Sequence, residues 1–215
     1  FYTTYNTNTL GQIKPGSTSP DRVIDLTALG VSPSVGGLDI VPAGFPGAGQ
    51  VKLTSYNADQ WYSGDLVPDG NGTYDLVNVA LRAQFGPFGP ESAFYVDASY
   101  PRIDAPSVVV CNWYVETIVV YEVDANGDPL PATGRDLVEC CGYWSLGSTL
   151  DPVTGDFLFC DWGSGVGIAV VKRNVGPLGA SYCSPGVANS TGQPCVISAN
   201  GSPVDIDSAR VRRIG

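Results

Sequence analysis

The sequence predicts an all-β fold, a propeller-like array of about four β-blades followed by a Pro/Gly/Ser-rich tail. Three observations predict it. A small knot of aromatic and amide residues recurs as TYN at Thr4, SYN at Ser55, CNW at Cys111 and CDW at Cys160, each leading into a β-prone hairpin. The spacing is roughly fifty residues, the kind of period at which four-stranded propeller blades repeat. From Gly11 to Arg173 no stretch holds a 3.6-residue amphipathic pattern over three turns. Finally, 27 glycines and 17 prolines spread through 215 residues provide for many turns and few helices.

The strand-like runs are short and rich in β-branched and aromatic residues. In order they are RVIDLTAL from Arg22, LDIV from Leu38, QVKLTSYN from Gln50, TYDLVNVALRA from Thr73 and AFYVD from Ala93. SVVVCNWY from Ser107, TIVVYEVD from Thr117, DFLFCDW from Asp156 and GIAVVKR from Gly167 follow. PDGNG from Pro68, DANGDP from Asp124 and DPVTGD from Asp151 separate them, since Gly and Asn accept positive φ and Pro pre-sets its own. Aligning the knots places LDIV, AFYV and DFLF as lead strands, each ahead of a knot strand. By that register the first unit lacks its lead strand and the fourth lacks a clear last one. Residues 1–175 are therefore read as blade repeats. Residues 176–215, poor in alternation, are read as a disulfide-containing extended tail or the start of a second module.

Composition bounds the partners and the compartment. The net charge is −10 and only 15% of residues are charged; with a pI near 4.2, phosphate backbones are repelled and nucleic acid is not expected. No apolar run reaches the length of a membrane span. The chain has no Met, which predicts that it is cut from a longer product. Six cysteines, no His and no zinc-type CxxC pair read as disulfides, hence a secreted protein, extracellular or at the cell surface. Cys183 and Cys195 are expected to bridge, with Cys111, Cys140, Cys141 and Cys160 pairing among themselves. Adjacent Cys140 and Cys141 are not expected to bond each other.

The run VSPSVGGLDIVPAGFPGAGQVKLTSYNADQWYSGDLVPDGNGTYDL, with VYEVDANGDPLPATGR and LDPVTGDFLF, resembles secreted bacterial β-propeller-like proteins of the PEP-CTERM-associated type. The likeness covers about residues 1–174, most specifically in VPAGFPGAG and DPVTGDFLF. It implies export and a propeller-type fold, and it brings no activity. The tail YCSPGVANSTGQP resembles a short module of secreted bacterial proteins. The chain departs from the group in having no PEP-CTERM signal and in placing Ser92 after Pro90-Glu91, where glycine is usual.

Catalytic motifs are scarce. The absence of His excludes Ser-His-Asp and Cys-His catalysis, and no G-x-S-x-G elbow or dinucleotide fingerprint occurs. Asp69, Asn71, Thr73 and Asp75, and again Asp124, Asn126 and Asp128, place oxygen donors at alternate positions, which suits Ca²⁺. The ordinary reading of both is Asx-turn closure of hairpins. Glu91, Glu116, Glu122 and Glu139 are candidates for a central mouth, with structural or solvent-facing roles the simpler alternative. Tyr5, Tyr56, Trp113 and Trp162 recur with the units, either as a carbohydrate-stacking platform or as core between blades. Asn71, Asn189 and Asn200 head glycosylation sequons in turns or the tail.

The function expected from these features is a secreted structural protein that self-assembles into a filament or surface layer, by strand addition at unclosed sheet edges. Its partner is then a second copy of the chain, through Phe1–Ile13 or the tail. The alternatives are a monomeric carbohydrate- or surface-binding propeller with glycans as partners, and a metal-dependent lactonase-like hydrolase. No cofactor is expected beyond Ca²⁺ at the acidic turns.

Overall fold

The structure, a computed structural model, describes residues 1–100, 103–115, 117–139, 145–161, 167–171, 198–199 and 202–203. The described residues form four successive antiparallel meanders and one two-stranded pair. Sheet one is β1 (Tyr2–Thr4), β2 (Thr9–Gln12) and β3 (Arg22–Asp25). Sheet two is β4 (Val35–Ile40), β5 (Val51–Ser55), β6 (Gln60–Pro68) and β7 (Tyr74–Gln84). Sheet three is β8 (Pro90–Val96), β9 (Ser107–Asn112), β10 (Thr117–Glu122) and β11 (Arg135–Glu139). Sheet four is β12 (Ser145–Leu150), β13 (Phe157–Asp161) and β14 (Gly167–Val171). β15 (Ser198–Ala199) and β16 (Ser202–Pro203) pair with each other.

Side-chain alternation explains how the sheets stack. Successive residues of a strand point to opposite faces. On β9, Val108 and Val110 join Trp61, Ala83 and Phe85 of sheet two, while Val109 and Cys111 join Phe157 and Phe159 of sheet four. Ala93 and Tyr95 of β8 likewise face sheet two, with Phe94 and Val96 facing sheet four. Sheet one closes on sheet two through Leu10, Leu26 and Val31 against Val35, Leu53, Tyr62 and Leu76. A strand buried on both faces needs apolar residues at odd and even positions alike. That is why SVVVCN and TIVVYE read as continuous rather than alternating runs.

The knots close the second strand of each four-stranded unit, at the ends of β5 and β9, and the corresponding strands β1 and β13 of the three-stranded sheets. This corrects one strand assignment: DFLF belongs to the knot strand β13, and the lead strand of that unit is β12, SLGSTL. Its Ser and Gly content concealed it, since propensity favours β-branched and aromatic residues. A second correction concerns RVIDLTAL, which leaves the sheet at Asp25. The Asp25 carboxylate accepts the N–H groups of Thr27 and Ala28 and turns the chain into a 3-10 turn, Thr27–Leu29. The segment 1–13, expected to pair with a second copy, is also paired within the chain. It folds as the hairpin β1–β2, and β2 pairs onward with β3 within the same chain.

Lead strands β4, β8 and β12 lie side by side, and two glycines allow it. A Cβ on Gly36 would meet the Glu91 carboxylate at 2.5 Å and backbone of Pro90 and Glu91 at 3.1 Å; one on Gly37 would meet Glu91 O at 3.1 Å. Ser92 and Ser148 share a hydrogen bond of 2.8 Å from β8 to β12, and Thr3 Oγ1 donates to Gly36 O from β1 to β4. A single line of small and polar residues therefore joins the four sheets along their lead edges.

Candidate functional site

The first two knots are hairpins whose last turn residue takes positive φ. Asn8 (φ 52°) ends the turn between β1 and β2, and Asp59 (φ 54°) ends the one between β5 and β6. Asn and Asp tolerate this left-handed conformation because their short polar side chains can bond locally. Here they bond forward instead. Asn8 Oδ1 accepts Val35 N at 3.1 Å and its Nδ2 donates to Val31 O at 3.0 Å, fixing the entry to β4. Asp59 Oδ1 accepts Phe88 N and Gly89 N at 2.9 and 2.7 Å, fixing the entry to β8. The same turn position thus clamps the first unit to β4 and the second to β8. Its signal was present in the sequence as an Asn or Asp three residues after the knot tyrosine.

The first aromatic residues of the first three knots, Tyr5, Tyr56 and Trp113, meet in one ladder. Tyr5 and Tyr56 meet edge to face with ring centres 6.0 Å apart, and Tyr56 and Trp113 do so at 5.7 Å. Tyr114, a neighbour that the repeat pattern passed over, stacks on Tyr56 at 4.9 Å. The ladder is graded in exposure: Tyr56 is 7% exposed, Tyr5 41% and Tyr114 58%, with Trp113 half-buried. Gly89 (φ 66°) passes directly beneath, where a Cβ would strike the Tyr56 and Tyr114 rings at 2.7 and 2.8 Å. The two readings of the aromatics therefore divide between residues: Tyr56 is core, while Tyr5 and Tyr114 are exposed.

Glu91 stands beside the ladder on β8. It is half-buried, and burial alone pushes its carboxyl up to about 7. The Tyr56 phenol is pushed far above its usual value, chiefly by burial, then by its hydrogen bond to Tyr114 and by the Tyr114, Glu91 and Tyr5 charges. Of the four candidate glutamates, Glu91 alone is described on a lead strand. Glu122 ends β10 exposed, while Glu116 and the side chain of Glu139 lie outside the described residues. Trp162 lies outside them too.

In the two acidic loops the carboxylates are taken up by turn and ion-pair partners. Asp69 accepts N–H groups from Asn71 and Thr73, the Thr73 hydroxyl, and the Arg22 guanidinium. These bonds hold its carboxyl far below the usual carboxylate range, and Asp75 takes the other arm of Arg22. Asp124 closes its own turn on Asn126 N and Asp128 N at 2.8 and 2.9 Å. Asp128 points the other way, into the protein, where it meets buried Lys52 at 2.7 Å and accepts Trp61 Nε1 at 3.0 Å and the Ser63 hydroxyl. Among the described residues no group of three or more His, Cys, Asp or Glu is arranged to hold a metal ion. Asx-turn closure is what both loops do, and the second one docks sheet three to sheet two. There the loop Pro42–Gly49 meets Asn126 and Gly127 backbone to backbone, too close for a Cβ on Gly47 or Gly127.

Cys111 is buried in the layer between sheets three and four, Cys160 is exposed on β13, and no disulfide joins them. Cys140, Cys141, Cys183 and Cys195 lie outside the described residues, as do Asn189 and Asn200. Asn71 sits exposed at the tip of the β6–β7 turn.

A search for known families finds no match, and a search of curated proteins finds none either. Among solved structures, the chain is similar to a putative 6-phosphogluconolactonase from Bacteroides uniformis, at 14% identity and a TM-score of 0.44. That similarity covers 77% of this chain and 47% of the other, so the chain spans about half the length of the protein it matches.

Proposed function

We propose that the protein is a glycan-binding module, a propeller-like array whose knot hairpins present an aromatic platform at one rim. The observation that carries this reading is the ladder of Tyr5, Tyr56, Trp113 and Tyr114, contiguous across three sheets and open at Tyr5 and Tyr114. Tyrosine and tryptophan supply a large apolar face together with a polar tip, which suits a ligand whose faces are apolar and whose edges carry hydroxyls. Buried Tyr56 gives the exposed rings a rigid backing, so little side-chain freedom is lost on binding. Side-by-side lead strands and shared core layers support the propeller-like arrangement. Cysteine usage and the family resemblance support an extracellular setting.

The test is a glycan array followed by titration calorimetry. A chain-like polysaccharide should bind, and Tyr114→Ala should weaken it about tenfold or more, as loss of a stacking aromatic does at interfaces. If no glycan binds, or if Tyr114→Ala and Tyr5→Ala leave affinity unchanged, the reading fails.

Self-assembly is the second reading, and β1 is what favours it. It is an edge strand of its sheet among the described residues, linked beyond that edge by the Thr3 side chain to Gly36. An edge of this kind accepts a strand from another copy. Sedimentation at high concentration separates the two readings, since strand addition produces oligomers that a platform does not need.

A further inference from the structure

Among the described residues, the Glu91 carboxylate has no hydrogen bond or ion pair, yet the residue lies half-buried beside the aromatic ladder. The ion pairs among the described residues go to other carboxylates. Arg22 is bound to Asp69 and Asp75, Lys14 to Asp21, and Lys52 and Arg82 to Asp128. A carboxylate in this setting is poorly solvated and uncompensated, so a cation delivered to it is stabilising. The Glu91 Oε2 atom lies against Gly36 of β4, 2.5 Å from where a Cβ would stand, so only glycine leaves it room. The Glu91 charge acts on the Tyr56 phenol at the centre of the ladder, and Gly89, two residues before Glu91, lies under the Tyr56 and Tyr114 rings. The whole chain, at net charge −10, attracts cations and repels anions.

We propose that Glu91 makes the platform selective for a cationic saccharide, a glucosamine-type polymer whose sugar faces stack on Tyr5 and Tyr114 while an ammonium group pairs with the Glu91 carboxylate. This rests on the glycan-binding reading and narrows it to a ligand class. A neutral saccharide leaves the carboxylate without a partner, and a uronic acid polymer brings a second negative charge to it. A charge-assisted hydrogen bond in a partly desolvated site favours the amine-bearing ligand by about tenfold or more.

The experiment is calorimetric titration of the full chain at neutral pH with three probes: a glucosamine hexamer, its fully N-acetylated counterpart and a glucose hexamer with the same backbone linkage. The glucosamine hexamer should bind at least about tenfold tighter than either neutral probe. Glu91→Gln, nearly isosteric, should bring the glucosamine and acetylated hexamers to similar affinities. Glu91→Asp, which retains the charge, should keep part of the preference. Equal binding of all three hexamers by the parent chain, or a preference that survives in Glu91→Gln, overturns the selectivity proposal and leaves the platform standing. If none of the three binds, the selectivity proposal falls, and the glycan array decides the platform separately. Far-UV circular dichroism of each variant separates loss of fold from loss of the charge.

Discussion

At the residue scale, two buried carboxyl groups with different surroundings make opposite predictions. Asp128 is paired: Lys52 reaches it from β5 with its side chain fully buried, while Trp61 Nε1 and Ser63 Oγ donate to the same oxygen. Truncating Lys52→Ala strands that carboxylate and should cost about 3–5 kcal/mol in urea denaturation. The double variant Lys52→Met/Asp128→Leu should recover only part, because Trp61 and Ser63 then lose their acceptor. Glu91 is unpaired, and its carboxyl is raised to about 7 from an ordinary 4.5. Between those values the folded chain holds more protons than the unfolded one, so stability falls as pH rises from about 4.5 to 7. Asp39, raised by burial to about 6, contributes in the same direction up to that pH. Glu91→Gln should therefore flatten the decline of Tm between pH 5 and 7, and an unchanged slope would remove Glu91 from the account. Asp69 works the other way. Its carboxyl is depressed, so the stability it contributes is present above the ordinary carboxylate range and is lost as pH falls below it.

At the element scale, the hairpin that ends in Asn8 or Asp59 is the device that sets one sheet against the next. It combines a left-handed residue with two backbone bonds to the following unit, so substitutions there should rank by how many of these requirements they meet. Asp59→Asn keeps the conformation and one acceptor oxygen, and should cost least. Asp59→Gly keeps only the conformation. Asp59→Ala keeps neither, and leaves Phe88 N and Gly89 N without their acceptor at a cost of about 2 kcal/mol or more. Thermal denaturation of the three variants reads the order directly, and a different order would mean that the clamp does not control stability. Gly36→Ala belongs at the same scale. Its Cβ would press on backbone of β8 as well as on Glu91, so it should both destabilise the chain and disturb the ladder's edge.

At the scale of the whole molecule, the sheets share their cores, and this decides how the chain unfolds. Val109 and Val110 are sequence neighbours, fully buried, and belong to different layers. Val109→Ala weakens the contact with sheet four and Val110→Ala the contact with sheet two, each by about 1–3 kcal/mol. Because sheet three is common to both layers, each variant should shift one cooperative transition, with tryptophan fluorescence and far-UV circular dichroism coincident. Two separated transitions would mean that the sheets melt as independent units. Non-reducing peptide mapping belongs at this scale too, since an extracellular setting predicts that all six cysteines are oxidised. Free thiols at two or more of them would argue against it.

Composition and period were enough to determine that the chain is all-β, that its units repeat about every fifty residues, and that each knot marks one register position. Those properties are local. Turn formers, β-branched runs and a recurring hairpin act through backbone preference within a few residues, so they can be seen without knowing what packs on them. The fate of each polar group depended on the tertiary structure. Asp124-x-Asn126-x-Asp128 has the spacing of a cation loop, but only the arrival of Lys52, more than seventy residues upstream, turns Asp128 inward and reduces the loop to a turn and a dock. The repeat aromatics looked equivalent in sequence. Packing made Tyr56 the buried backing and left Tyr5 and Tyr114 open, because a ring's exposure depends on how the neighbouring unit covers it. SLGSTL had no strand signature at all, and became a lead strand because β13 offered it hydrogen-bonding partners. Long-range contact, absent from any local window, is what separates a residue that builds the array from one that is free to meet a ligand.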